Sequence, residues 1–388
     1  MKIERIEMFH VSMPLRGLVV LPRGSSRSLV EGKRVILVKI TAADGTVGWG
    51  EAGPSRRWSY ETLESAESSI GGYFIPALLG HDAEDIAGAH ARMDDEVAPG
   101  FDQGQPIAKA ALDMALYDLL GKKSGKCVQE IVGSMEQDRI RLSWLVSVSN
   151  PDKAREEVAH AKSRGYTAFK VKVGHDPGMD EANVKAVMDG AGPKGFVWCD
   201  ANQGYDPETA LQKARAFEEL GITIFEQPVA SHHLSALRGL SEKTSLEIAL
   251  DESVLSVPFM EELIRLGLVK SIVVKVNKAG GLFHARELAR VARERGIGLL
   301  GSGLMDAPLG YAASAHLFAA YGFDRPIDLN GPQFIKDTYS ANGFGEGGGE
   351  AIVSRTPGLG IEVDEEKVRQ YRWDPARLHA SAVGNAPR

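Results

Sequence analysis

The run Phe169-Lys170-Val171-Lys172-Val173-Gly174 is short and apolar and carries two lysines one residue apart. In a strand both ammonium groups point to one face, about 7 Å apart. Facing solvent, such a pair means little. Facing a closed interior, each cation disfavours charging of the other, and one becomes a base near neutral pH. Lowering a lysine from about 10.4 to about 7.5 takes roughly 4 kcal/mol of differential destabilisation of its cation, part of which Lys170 supplies to Lys172. Three short apolar runs end in acids: Cys199-Asp200-Ala201-Asn202, Phe225-Glu226-Gln227-Pro228 and Leu250-Asp251-Glu252-Ser253. On adjoining strands about 4.8 Å apart, Asp200, Glu226 and Asp251 can converge on one cation. An oxygen-only set suits Mg²⁺, and Mn²⁺ also fits. Taken singly, each acid reads equally well as a cap on the following helix. A further lysine stands in Val273-Val274-Lys275-Val276-Asn277-Lys278-Ala279-Gly280-Gly281. Alone, Lys275 could simply snorkel to a barrel mouth.

The elements that must position these groups follow from the chain's patterning. Lys2–Met13, Arg34–Ile40 and Thr46–Glu51 read as antiparallel strands, the last two flanking an Asp44-Gly45 hairpin turn. Arg16–Lys33, rich in Gly, Ser and Arg and without periodicity, reads as a surface excursion or a lid. Residues 60–122 turn helical, with Ile107, Ala108, Ala111, Leu112, Ala115, Leu116 and Leu119 at helical spacing after Pro106 and Gly121 near the far end.

From Arg141 onward, apolar strands alternate with amphipathic helices. The strands are Leu142–Val148, Ala168–Val173, Phe196–Asp200, Ile222–Glu226, Glu247–Asp251, Ser271–Lys275, Gly298–Gly301 and Ile327–Leu329; the helices include Pro151–Arg164, Asp180–Met188, Pro207–Leu220, Pro258–Leu266 and Leu282–Arg295. Eight such units predict an α/β fold, a (β/α)8-type TIM barrel over residues 126–330, preceded by a separate domain of strands and helices over 1–125. Residues 331–388, with the glycine cluster Gly345–Glu350 and a Pro357–Gly360 turn, read as a loop-like segment that returns to the first domain, which it would complete as an α+β capping domain by the resemblance given below. In such a barrel the three acids lie at C-terminal strand ends, where barrel enzymes keep their chemistry. Strands two and six are opposite each other, so Lys172 and Lys275 would face across a metal. That suits proton transfer at a carbon next to a carboxylate, with the metal stabilising an enediolate.

The bulk numbers narrow the partners. At 388 residues and 43% hydrophobic, the chain can bury a large core. A net charge of −7, a pI near 5.9 and no basic run argue against nucleic acid and for a small-molecule ligand. Cys127 and Cys199 form no C-x-x-C pair, so neither a disulfide scaffold nor a zinc knuckle is indicated. No apolar signal-peptide core opens the sequence and no run is long enough for a membrane span; the expectation is a cytoplasmic protein without a membrane partner.

Together, Trp49-Gly50-Glu51, Lys170-x-Lys172, Asp200-Ala201-Asn202, Glu226-Gln227-Pro228, Asp251-Glu252-Ser253 and Lys275-x-x-Lys278-x-Gly280-Gly281 resemble the enolase superfamily, and within it the muconate lactonizing enzyme subgroup of the mandelate racemase/muconate lactonizing enzyme family. The resemblance covers nearly the whole chain. It implies a capping domain whose loops choose the substrate, which makes Arg16–Lys33 and Gly53–Trp58 specificity loops, and it implies Mg²⁺ at Asp200, Glu226 and Asp251. By the same resemblance Lys170 touches a substrate carboxylate and Lys172 and Lys275 are the two acid/base groups. A homo-oligomer, dimer to octamer, is also implied.

The subgroup diverges at the eighth strand. Dipeptide epimerases are expected to show Asp-x-Asp there to hold an ammonium, and muconate cycloisomerases a glutamate-led version; here stands Asp328-Leu329-Asn330-Gly331-Pro332. Asp328, Asn330 and, in the loop after the seventh strand, Asp306 are candidate substrate contacts. Gly301–Asp306 is no dinucleotide fingerprint, since it lacks the third glycine and opens no first βα unit. Arg23, Arg27, Arg56 and Arg57 are candidate lid charges or merely solvated; His232, His233 and His316 read as two solvated and one buried histidine. The leading expectation is a Mg²⁺-dependent isomerase, a racemase/epimerase of an amino-acid-like acid or a muconate-type cycloisomerase. A lyase of the subgroup, a dehydratase or o-succinylbenzoate synthase, needs only one base and is the alternative. A non-catalytic binding or structural barrel predicts a missing ligand or base, and none is missing.

Overall fold

The opening hairpin forms where the Asp44-Gly45 turn places it: Asp44 Oδ1 accepts from the Thr46 N–H at 3.0 Å, and Gly45 takes a left-handed φ of +84°. The structure, a computed structural model, describes residues 1–16, 20–21, 24–25, 32–100, 103–134, 137–148 and 150–374. Arg23 and Arg27, with most of the proposed loop Arg16–Lys33, lie outside the described residues. Ile3–Met13, Lys33–Ala42 and Val47–Ala52 make a three-stranded antiparallel sheet. Against it lies the helix Pro106–Ser124, started by proline and ended by Gly125 at φ +68°. Gly48 and Gly50 let it come close: a Cβ on either would stand 2.0 Å from the carbonyl oxygen of Ala115 or Ala111.

That helix is buried almost all round, and its buried charges tie three regions together. Asp118 accepts from the N–H of Trp49 at 2.9 Å and of Leu359 at 2.8 Å. Asp113 Oδ1 accepts from the Leu282 N–H at 2.5 Å, and Oδ2 from Phe283 N–H at 3.2 Å and lies 2.8 Å from His90 Nε2. A capping-half carboxylate thus caps the barrel helix Leu282–Glu294. Gly281 makes room for it, since a Cβ there would stand 2.2 Å from Asp113 Cγ.

Seven parallel strands follow in order round one sheet: Trp144–Val146, Ala168–Lys172, Phe196–Asp200, Ile224–Glu226, Glu247–Leu250, Ser271–Val274 and Gly298–Gly301. The expected eighth strand, Ile327–Leu329, is reduced to two bridging residues. Ile327 pairs with Leu142 and Asp328 with Ser302, both parallel, and these bridges join the two edges into a (β/α)8-type barrel. Asn330 and Gly331 turn at once into a short helix, Gly331–Phe334, so no longer ladder forms. Residues after 331 are also more ordered than a loop. Glu346–Gly347 and Glu350–Ile352 form a hairpin that adds Arg139–Arg141, and Glu365–Gln370 is a helix. The tail then runs beside the first strand: Ser12 N–H donates to Tyr371 O and Trp373 N–H to His10 O, both at 2.9 Å. Among the described residues no helix is long and apolar enough to cross a membrane.

His232 and His233 are exposed and His316 is buried. His316 Nδ1 accepts from the Gln129 N–H, which leaves Nε2–H to donate to Leu359 O at 3.2 Å. Burial pushes its pKa down to about 4. Unfolded, the imidazole takes a proton near pH 6.5, so below that pH the unfolded state binds more protons and stability falls until about pH 4. By pH 4.5 this should cost about 2–3 kcal/mol. Urea unfolding of the native protein and of His316→Gln at pH 7.5 and 4.5 checks it: the native chain should lose more, and equal losses would refute the assignment.

Candidate active site

Alternation along the strands brings the chemistry together. Trp198, Ile224, Ala249, Val273 and Leu300 form a small apolar cluster of their own within the ring of strands. Two residues onward, on the same face, stand Asp200, Glu226, Asp251, Lys275 and Ser302. Lys172 and Glu226 are both register partners of Asp200, on either side. The three acids are at most 1% exposed.

Each acid meets a lysine. Lys170 Nζ lies 2.9 Å from Asp200 Oδ2, 2.9 Å from Glu226 Oε1 and 3.0 Å from Asp328 Oδ2. Lys172 Nζ donates to Asp200 Oδ2 at 2.6 Å and to Asn202 Oδ1 at 2.5 Å. Lys275 Nζ donates to Asp251 Oδ2 at 2.5 Å and sits 4.3 Å from the centre of the Trp58 ring. Lys278 spends all three protons, on Asp251 O, Asp251 Oδ1 and Val273 O at 2.7–2.8 Å, and so is a clamp on Asp251.

At Lys170 and Lys275 the surrounding acids decide the electrostatics. Burial disfavours the Lys170 cation, but Asp200, Glu226 and Asp328 outweigh it and hold the lysine well above its ordinary value. Lys275 is likewise raised, burial being overcome chiefly by Asp251. Acids at the same depth as the lysines reverse the sign. Glu226 bears the cost: burial and the charge of Asp200 push it up to about 8.

Strained turns aim these groups. Asn202, Gln203, Gln227 and Met305 take left-handed φ values of 40°, 66°, 35° and 56°, each worth of order 1 kcal/mol or more in a side-chain-bearing residue. Gln227 is braced by its own side chain, whose Oε1 accepts from the N–H of Asp251 and of Ser253 at 3.1 Å and whose Nε2 donates to Ser253 Oγ at 2.8 Å. It locks the fourth strand's end to the fifth.

The family resemblance raises the question of a metal. Among the described residues no three carboxylate, thiol or imidazole groups are already gathered on one ion-sized point, because ammonium groups stand between the acids. The donor set itself fits a hard divalent cation: three buried carboxylates on adjoining strands, with oxygen ligands only.

Asp328 is 3% exposed and Asn330 8%, and Asn330 Nδ2 donates to Asp328 Oδ1 at 3.0 Å. Asp306 packs its backbone against Gly331, next to Asn330, while its side chain turns to other partners. It accepts from Asn277 Nδ2 at 2.8 Å and stands beside Lys33 and Glu51, where burial and the Asp306 charge push Glu51 up to about 7. Arg56 and Arg57 are exposed. Sequence reasoning missed Trp58 as a partner of Lys275, Glu252 as the acceptor that tethers the Trp58 indole at 3.1 Å, and the clamping role of Lys278. Only the Lys275-x-x-Lys278 spacing hinted at the last, by turning the second lysine back onto the strand end through the short helix Val276–Ala279.

Residues 7–133 match the family model of the mandelate racemase / muconate lactonizing enzyme N-terminal domain, and residues 153–367 match the enolase C-terminal domain-like model. A chloromuconate cycloisomerase of Cupriavidus necator is 31% identical over 382 residues, spanning 96% of this chain and 99% of that protein. An L-Ala-D/L-Glu epimerase of Bacillus subtilis is 30% identical over 364 residues, 93% of this chain and 97% of the relative. The crystal structure of N-succinyl Arg/Lys racemase from Bacillus cereus superposes with a TM-score of 0.90 at 27% identity, covering 96% and 99% of the two chains.

Proposed function

Because the chain belongs to the enolase superfamily, in its muconate lactonizing enzyme subgroup, and is an enzyme of isomerase type, we propose that it relocates the proton α to a substrate carboxylate, with Lys172 and Lys275 on opposite sides of the reacting carbon. The observation that carries this reading is the placement of those lysines at the two ends of the Asp200–Glu226–Asp251 arc, each on a different carboxylate. Lys170, between them, grips the substrate carboxylate. Whichever outer lysine is neutral takes the proton, the charge left behind spreads into the carboxylate as an enediolate, and the other, protonated as Lys275 is held here, returns a proton to the opposite face. Asp200, Glu226 and Asp251 would hold Mg²⁺ or Mn²⁺, which would supply the Lewis-acid charge that makes the neighbouring C–H more acidic. Lys278 keeps Asp251 in place throughout. The division that goes with this reading is a capping domain in 1–125 completed from the segment after 331, and a barrel in 126–330.

This describes a racemase or epimerase of an amino-acid-derived acid. A cycloisomerase is the second reading, supported by the similarity to the chloromuconate enzyme. In deuterium oxide the native enzyme should wash deuterium into the α position of both enantiomers of a substrate. Chelation should stop the exchange and Mg²⁺ restore it. Exchange of one enantiomer only would refute the two-base reading, and full activity in rigorously metal-free protein would refute the metal.

A further inference from the structure

The lysines around the site are not equally held. Lys170 Nζ is met by three carboxylates, Lys172 bonds both Asp200 and Asn202, and Lys278 spends all three protons. Lys275 Nζ has, among the described residues, one hydrogen-bond acceptor, Asp251 Oδ2. A flexible four-carbon stem that ends in one hydrogen bond can still swing about it. The second contact of Lys275 is the Trp58 ring, over which the ammonium stands 4.3 Å from the centre, well within reach of a cation–π attraction.

That ring is itself seated. Its Nε1–H donates to Glu252 Oε1 at 3.1 Å, and the turn that carries it is closed by the N–H groups of Trp58 and Ser59, which both donate to Ser55 O at 2.8 Å. Lys275, Asp251, Glu252 and Trp58 thus make a closed circuit: ammonium to carboxylate, one peptide bond along the chain, carboxylate to indole, ring back to ammonium. Three of the four lie at barrel strand ends; Trp58 comes from the loop after Val47–Ala52 of the opening sheet. Lys172 does not share this support. Glu252 Oε1 reaches it only through Asn202, whose Nδ2 donates to the carboxylate at 3.2 Å and whose Oδ1 accepts from the lysine. Asp200 holds Lys172 as well, so the indole can be removed without freeing it.

We infer that Trp58 is a positioning residue for Lys275 alone, aiming its ammonium at one face of the substrate, so that the loop 53–58 equips one of the two acid/base groups and not the other. The inference rests on the reading above, in which the two lysines serve opposite faces of the reacting carbon. An indole that merely lined the pocket would weaken binding of both enantiomers alike. One that merely steadied its loop would slow both.

Two substitutions separate these roles. Trp58→Leu keeps apolar bulk and removes the π face; Trp58→Phe keeps a ring and loses the N–H to Glu252. α-Proton exchange in deuterium oxide is followed by NMR for each enantiomer separately, at low and at saturating concentration, with N-acetyl amino acids, dipeptides, proline derivatives and muconolactones as probes. Trp58→Leu should lower the saturating exchange rate about 3- to 30-fold for the enantiomer that Lys275→Ala silences, and leave the other rate and both KM values within about twofold. Trp58→Phe, the milder change, should show the same one-handed loss in weaker form. An equal fall for both enantiomers, a rise in KM without a fall in rate, or native behaviour in both variants would overturn the inference while leaving the two-base reading in place. Failure of Lys275→Ala to separate the enantiomers, or absence of exchange with every carboxylate tried, would overturn both.

Discussion

Lys275→Ala is expected to lower kcat/KM by about 10²- to 10⁴-fold, the usual worth of a positioned acid or base, while the protein stays folded. Stability should survive because Asp251 keeps Lys278 on its Oδ1 and its backbone oxygen, so the carboxylate is not left alone in the interior. The same holds for Lys172→Ala, where Asp200 retains Lys170 at 2.9 Å. The distinctive outcome is stereochemical: each variant should lose α-proton exchange from one enantiomer and keep it for the other. Each lysine faces the reacting carbon from one side, so removing it silences one hand. NMR of both enantiomers in deuterium oxide, with calorimetry of Mg²⁺ binding alongside, reads this directly. If either variant lost both enantiomers together with its metal affinity, the lysine would be a charge-compensating group rather than a base.

Asp113→Ala should be among the most destabilising single changes far from the active site, costing about 3–5 kcal/mol. It strips the N-terminus of Leu282–Glu294 of its acceptor, leaving the N–H groups of Leu282 and Phe283 unmatched, and it strands His90, whose Nδ1 has no partner among the described residues. Water is a poor substitute at the centre of this joint, since Asp113 is fully buried and His90 is 2% exposed. Asp113→Asn retains one acceptor oxygen and should cost roughly half as much. Urea midpoints of the two variants against the native protein test the ordering. A midpoint unchanged by Asp113→Ala would mean that the capping half and the barrel do not depend on this joint.

Much of this architecture was legible because parallel strands, covered on both faces, appear as short apolar runs between amphipathic helices. The positions of Asp200, Glu226 and Asp251 followed from the same alternation that places Trp198, Ile224 and Ala249 two residues earlier. Three things were not legible. The hairpin at Glu346–Ile352 is too short to carry any period. Contacts such as Asp113 with Leu282, 169 residues apart, or Trp58 with Lys275, leave no local pattern at all. The acids that hold Lys170 and Lys275 charged were not visible either, because neighbouring strands bring them to the same depth and a sequence does not show that.

The clasp between the tail and the first strand bears on how the molecule is made. Ile3–Met13 pairs on one side with Lys33–Ala42, and its other edge meets Tyr371–Trp373. A ribosome delivers those partners in opposite order, the hairpin first and the clasp last. Until then the earliest strand to emerge presents an unpaired edge, the kind of surface on which other chains can add. Completion of the capping sheet therefore waits for residues 371–373, made long after the strand whose edge they cover.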